Sequence, residues 1–136
     1  MFKKIILFFF IGLTFIKADT LNMCSNSLAI LKLQEQLPDK IIKNLYKLSG
    51  LEAIGVDYED YEKGLKEIAK HYGKANYNDI IEIKSISNFD FDLNSCTAIV
   101  NATLEDKEGV WTISYKVFNT NEIKILNLAY VSGDFE

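Results

Sequence analysis

The spacing of apolar residues changes once along this chain, near Tyr77, and that change constrains the fold more than any other feature. Before it, apolar residues recur every three or four positions, as in amphipathic helices. After it, apolar and polar residues alternate, as in strands with one buried face. The sequence therefore predicts an α+β domain, in which N-terminal helices precede a four-stranded antiparallel meander and a helix packs on one face of the sheet.

Three helices are expected before the change. Pro38 lacks a backbone donor and disfavours helix in the residue before it, so the first two helices are predicted over residues 25–37 and 39–49. The third, over residues 57–73, has Asp57 as a natural N-cap, acidic residues in its first turn and basic residues in its last, which matches the helix dipole. Its apolar stripe is predicted at Tyr61, Leu65, Ile68 and Tyr72.

Four strands are expected after the change, over residues 80–86, 95–105, 111–117 and 123–131. In the second strand, alternate residues from Cys96 to Leu104 are predicted to face the core. In the last strand the alternation slips at Ile125 and Leu126, which predicts a β-bulge there.

The first 18 residues have the three-part pattern of a secretory signal peptide. Lys3 and Lys4 precede an apolar run, Ile5–Ile16, and the small residue Ala18 ends the pattern. A run of about a dozen apolar residues is shorter than the roughly 20 that span a bilayer. We therefore expect cleavage after this segment, a single exported domain over residues 19–136 in the periplasm or outside the cell, and no stable membrane anchor.

The charge of the chain narrows the classes of partner. Three of the 15 lysines (Lys3, Lys4 and Lys17) belong to the predicted signal peptide whereas all 19 acidic residues follow it, so cleavage shifts the net charge from −4 to −7. Arginine, the usual residue for bidentate phosphate recognition, is absent. These features argue against binding to nucleic acid or to anionic lipid. Many lysines, asparagines and isoleucines without arginine also resemble usage in AT-rich bacterial genomes, which suggests a Gram-negative periplasm.

The only two cysteines, Cys24 and Cys96, are expected to form a disulfide, because an even count in an exported chain favours pairing. A lipoprotein is the alternative, since Leu21 and Cys24 fit a lipobox, although the residue before Cys24 is not small and lipidation would leave Cys96 unpaired. Neither cysteine has another cysteine or a histidine at metal-ligand spacing, so no metal or cofactor is predicted.

The helix at residues 57–73 and the strand pair SCTAIVNATLE and GVWTISYKVF give the chain a resemblance to a fold group. Over about residues 25–132 the order of elements resembles the cystatin-like folds, including nuclear-transport-factor-like domains. The glutamine-valine-glycine loop of inhibitory cystatins is absent. The resemblance implies that a pocket can form between the third helix and the sheet, which Tyr61, Tyr72, Trp111 and Tyr115 would line.

Other residues that could carry chemistry have ordinary explanations. His71, the only histidine, stands in a last helical turn, where it complements the helix dipole. Residues 90–95 imitate the start of a calcium loop, but Ser95 and Asn101 stand where glycine and a bidentate glutamate are needed. Glu105, Asp106 and Glu108 are expected in a solvated turn. We therefore predict no catalytic residue.

The outward face of the sheet is the most informative candidate site. It is predicted to be rich in hydroxyl groups and low in charge, with apolar points at Ile99, Val110 and Phe118. Such a face can serve as an interface, although it also fits an ordinary half-solvated sheet. Its other members are Thr97, Asn101, Thr103, Thr112, Ser114 and Lys116.

These observations favour a non-enzymatic interaction module that uses this face to bind a protein partner or a second copy of the chain. Two alternatives stay open. One is a small-molecule carrier or enzyme with the pocket beside helix 57–73, and the other is an inhibitor or immunity-type protein.

Overall fold

The computed structural model describes residues 23–118 and 122–135, so the predicted signal peptide lies outside the described residues. The principal elements are α1 (Ser27–Ser49), α2 (Tyr58–His71), β1 (Ile81–Asp92), β2 (Ser95–Leu104), β3 (Lys107–Val117) and β4 (Ile123–Gly133), with 3-10 turns at Leu51–Ile54 and Tyr77–Ile80. The strands form one antiparallel sheet in the order β1-β2-β3-β4. The predicted α+β class, with helices before a four-stranded meander, is confirmed.

The first two predicted helices are one continuous helix, so the predicted break at Pro38 was wrong. Pro38 lies inside α1 and does not end it. Buried residues on both sides of Pro38 form one stripe, and α1 packs through it against both edge strands of the sheet. Because the two halves share one packing surface, they stay in line although Pro38 cannot donate its backbone hydrogen bond. The stripe consists of Ala29, Leu33, Leu37, Ile41, Ile42 and Leu45.

The third predicted helix corresponds to α2, and its N-cap is confirmed: the Asp57 side chain accepts a hydrogen bond from the backbone N–H of Asp60 at 2.9 Å. The buried positions differ in part from the prediction. Leu65 and Ala69 are buried, whereas Ile68 and Tyr72 are exposed. The reason is that α2 packs mainly against the 3-10 turn before β1 and against α1, not across the middle of the sheet.

The inner face of the sheet follows the predicted alternation. In β2, Cys96, Ala98, Val100 and Ala102 are buried, and three of them lie opposite the buried residues Tyr115, Ile113 and Trp111 of β3. The Trp111 indole N–H donates to the Asn44 side chain of α1 at 2.9 Å. The helix and the two central strands therefore enclose one core.

Both edge strands contain irregularities that the central strands lack. Register shifts mark one extra residue at Lys84 and another next to Asn88 in β1, and at Leu126 and Val131 in β4. The bulge predicted at residues 125–126 is thus confirmed. The predicted end of the first strand at Ile86 was wrong, because β1 continues through its second bulge to Asp92. The residues at the four register shifts, Lys84, Asn88, Leu126 and Val131, are all exposed.

The predicted disulfide between Cys24 and Cys96 is present, with a Cα–Cα distance of 5.7 Å. Both cysteines are buried, and the Tyr115 hydroxyl donates a hydrogen bond to the Cys24 carbonyl. The bond and the hydrogen bond together attach the segment before α1 to the inner face of β2 and β3. A disulfide in a domain of this size is typical of oxidising compartments.

Candidate interaction surface

The open face is the side of the sheet opposite α1. The strand register places its members on one side: Glu82, Ser85, Ser87, Asp90 and Asp92 from β1; Ser95, Thr97, Ile99, Asn101 and Thr103 from β2; Glu108, Val110, Thr112, Ser114 and Lys116 from β3; and Lys124, Asn127, Ala129 and Ser132 from β4. The face therefore carries more charged residues than the sequence predicted. Because α1 packs on the inner face, Thr112 and Lys116 of the open face are exposed to solvent.

The residues predicted for an interface do share this face. Thr97 lies opposite Ser114, and Ile99 lies opposite Thr112. Asn101 lies opposite Val110, and its side-chain amide donates to the Ser85 hydroxyl at 3.0 Å. Phe118 follows β3 at the next outward position and is 45% exposed. The predicted residues therefore lie on one face of the sheet, on β2, on β3 and directly after β3.

Two exposed apolar residues lie at the bulges of β4, the edge strand beside the open face. Leu126 and Val131, the two extra residues of β4, are 45% and 54% exposed. The slip in alternation at Leu126 was visible in the sequence, whereas the slip at Val131 was not. Leu126 lines a groove at the β4 edge together with residues of α1, including Lys40 and Lys43, so the apolar centre of the open face is Ile99 and Val110.

The charges of the surface are segregated. Asp90 and Asp92 occupy outward positions near the end of β1, and Lys116 lies directly opposite Lys124 on β3 and β4. The side chain of Asp90 accepts the backbone N–H of Phe91 at 2.8 Å. Asp92 ends β1, and the chain then turns through Leu93 and Asn94 into β2.

The opposite end of the surface is acidic. Glu82 of β1 pairs with Lys84 at 3.2 Å. Across the sheet, the Asp134 carboxylate accepts the backbone N–H of Glu108 at 2.9 Å, which holds the end of the described chain against β3. Glu82 lies opposite Thr103, which in turn lies opposite Glu108.

The four residues predicted to line a pocket do not converge. Trp111 and Tyr115 are buried beneath α1, where both are hydrogen-bonded. Tyr61 packs against Tyr46 at a ring-centroid distance of 5.3 Å, and Tyr72 is 56% exposed at the end of α2. The physical reason is that α1, not α2, occupies the inner face of the sheet.

Burial also determines the ionisation of the tyrosines. It raises the pKa of Tyr115 and of Tyr61 above the ordinary value, because the phenolate would be poorly solvated. Burial likewise raises the pKa of Tyr46 and of Tyr58, and nearby carboxylates add to both shifts. These tyrosines are therefore neutral near pH 7, and the hydroxyls of Tyr46 and Tyr115 donate hydrogen bonds to backbone carbonyls.

The remaining candidates lie apart from one another. His71 is exposed and its ring contacts Tyr72 edge to face at 5.3 Å. Glu105, Asp106 and Glu108 are exposed, as predicted, but Glu108 belongs to β3 and only Glu105 and Asp106 form the β2–β3 turn. Within residues 23–118 and 122–135, no three His, Cys, Asp or Glu side chains are grouped so that they could hold a metal ion.

The helices of the described ranges include none with the length and apolar character needed to cross a membrane. Comparison with known proteins adds no family to these observations. No protein-family model matches the chain, and no curated protein and no solved structure matches it either.

Proposed function

We propose that this protein is a non-enzymatic interaction module that binds a protein partner through the open face of its sheet. The observation that carries the proposal is the composition of that face: hydroxyl and amide side chains surround the half-buried apolar residues Ile99 and Val110, and Phe118, which is 45% exposed, adds an apolar side chain at one end. Interfaces of non-obligate complexes have this mixture of apolar centre and polar surround.

The architecture supports the same function. A disulfide, a continuous helix and a hydrogen-bonded tryptophan make the inner half of the domain rigid, so the open face is presented by a preorganised scaffold. Rigid presentation lowers the ordering cost of association, which favours a binding role. The nuclear-transport-factor-like resemblance is part of this proposal as a shape only, because one fold hosts many functions.

We place the module in the periplasm of a Gram-negative bacterium, after removal of the first 18 residues. The disulfide favours an oxidising compartment, and the N-terminal pattern of lysines followed by an apolar run favours export. In this location the partner would be another exported protein or a second copy of the chain, and the net charge of −7 disfavours nucleic acid.

The test is a double substitution at the centre and end of the face, Ile99→Lys with Phe118→Glu. Ionised groups at these positions would have to be desolvated on association, so binding is expected to fall by at least tenfold. Association is measured by multi-angle light scattering of the purified mature protein and by capture from periplasmic extract.

The matched control replaces two exposed leucines of α1, Leu31→Lys with Leu48→Glu, which introduces the same charges away from the open face. Circular dichroism verifies that both variants fold. The proposal requires loss of association in the first variant and retention in the control. Unchanged association in both variants would refute it.

A further inference from the structure

The open face carries a line of charges at one end, which we call the terminal row. Asp92 lies opposite Ser95, and Lys116 lies opposite Lys124. The register of β2 and β3, in which Cys96 faces Tyr115, sets Ser95 beside Lys116. Read from one edge of the sheet to the other, the terminal row is Asp92, Ser95, Lys116 and Lys124.

These charges are not compensated within the described part of the chain. The ion pairs found over residues 23–118 and 122–135 are Lys43–Asp39, Lys66–Glu62, Lys70–Glu67 and Lys84–Glu82. None of them includes a residue of the terminal row. Like charges directly opposite each other in a sheet are destabilising, as Lys116 and Lys124 are here. One edge of the row is therefore negative and the other positive, and each lacks a partner charge.

A two-fold axis parallel to the strands, between β2 and β3, would bring the two edges together. This operation turns the open face of a second copy toward the first, sets β1 of one copy over β4 of the other, and keeps the same end of the strands aligned. Asp92 of each copy then faces Lys124 of the other. Two-fold interfaces are isologous, so the contact is made twice.

Resting on the proposed function, we infer that the partner of the open face is a second copy of this chain, related by this axis, with Asp92 of each copy paired to Lys124 of the other. The same axis places Ile99 of one copy near Thr112 of the other, since both lie on the two central strands. The apolar centre and the charged row thus belong to one interface.

The acidic end of the face makes the contact asymmetric along the strands. There the axis brings Glu82 of one copy toward Asp134 of the other, and Lys84 offsets only part of this repulsion through its pair with Glu82. The two copies therefore attract at the terminal row and repel at the opposite end. Glu82→Gln removes one repelling charge from each copy, so we expect it to tighten the dimer.

Charge reversal tests the inferred pairing. Asp92→Lys alone places two lysines across each contact, and Lys124→Asp alone places two aspartates there. Each single variant is expected to weaken the homodimer by about tenfold, because two rim ion pairs become repulsive. An equimolar mixture of the two variants restores opposite charges at both contacts, so a heterodimer is expected. Sedimentation velocity at about 100 μM and native mass spectrometry of mass-tagged copies measure these species.

The matched control is Lys40→Asp mixed with Asp79→Lys, two exposed sites away from the open face that should leave dimerisation unchanged. Restoration of a dimer only in the mixture of the Asp92 and Lys124 variants supports the inference. A protein that stays monomeric, or a mixture that fails to restore the dimer, overturns it. If the dimer is refuted in this way but a captured protein partner still dissociates from the variant Ile99→Lys with Phe118→Glu, the proposed function stands although the inferred homodimer does not.

Discussion

Removal of the disulfide is expected to cost a large share of the stability of this domain. Cys24 and Cys96 are separated by 72 positions in the sequence, and closing a loop of that length is worth about 4 kcal/mol in the chain-entropy account. A small domain has roughly 5–15 kcal/mol in total. We therefore expect the double variant Cys24→Ala with Cys96→Ala to lose about 4 kcal/mol and about 15 °C in Tm.

Urea unfolding followed by the fluorescence of Trp111, the only tryptophan and a buried one, measures this loss directly. The wild-type protein is titrated with and without reductant, and the alanine variant serves as the control that reductant should not affect. Reduction of the wild-type protein should reproduce most of the loss. A difference below about 1 kcal/mol between oxidised and reduced protein would refute the reasoning, because the cross-link would then not constrain the unfolded chain.

Three further outcomes follow from single residues. Pro38→Ala should restore a hydrogen bond inside α1 and raise the free energy of unfolding by about 1–3 kcal/mol, measured by urea titration, and a decrease would show that the proline is needed. Leu93→Gly should raise it by about 1 kcal/mol, because Leu93 has φ of 49° in the β1–β2 turn and is 89% exposed; an unchanged midpoint would contradict this strain. Burial raises the pKa of Tyr115, so the unfolded state loses that proton first and stability should fall as pH rises above about 10, by about 1.4 kcal/mol per pH unit for this tyrosine. Tyr115→Phe should make that alkaline decline shallower, and an equal slope in both proteins would count against the assignment.

The central strands could be predicted because nothing interrupts their alternation. β2 and β3 pair without a register shift, so each second residue from Cys96 and from Trp111 reaches the core. The N-cap of α2 was equally accessible, since Asp57 acts through a local hydrogen bond to Asp60. Periodicity and helix capping depend on residues that are close in sequence, so both can be predicted from the sequence alone.

The errors arose where tertiary packing overrides a local signal. Pro38 carries a strong local signal for a helix end, yet the stripe that packs on the sheet continues past it. The length of β1 was underestimated for a related reason: extra residues at Lys84 and near Asn88 disturb the alternation, and Asn88 has φ of 54°. Bulges preserve the strand but erase the period by which a strand is detected.

The candidate surface was predictable only for its two central strands. Thr97, Ile99, Asn101, Thr112 and Ser114 follow from the alternation of β2 and β3. The contributions of β1 and β4 depend on register, which no local pattern contains. For example, the position of Asp92 and Lys124 in the same row across the sheet follows only when all three strand pairings are known.

The bulge at Leu126 determines what β4 contributes to the open face. Ile125 lies opposite the buried Tyr115 and therefore points inward. Strict alternation from Ile125 would turn Asn127 inward and Leu128 outward, because a shift of one residue exchanges the faces of a strand. The extra residue instead sets Leu128 opposite Ile113, on the core side, and leaves Asn127 opposite Ser114 on the open face. Lys124 and Asn127, three positions apart, thus share one face, so the same inserted residue both preserves the core contact of Leu128 and keeps the surface beside the terminal row polar.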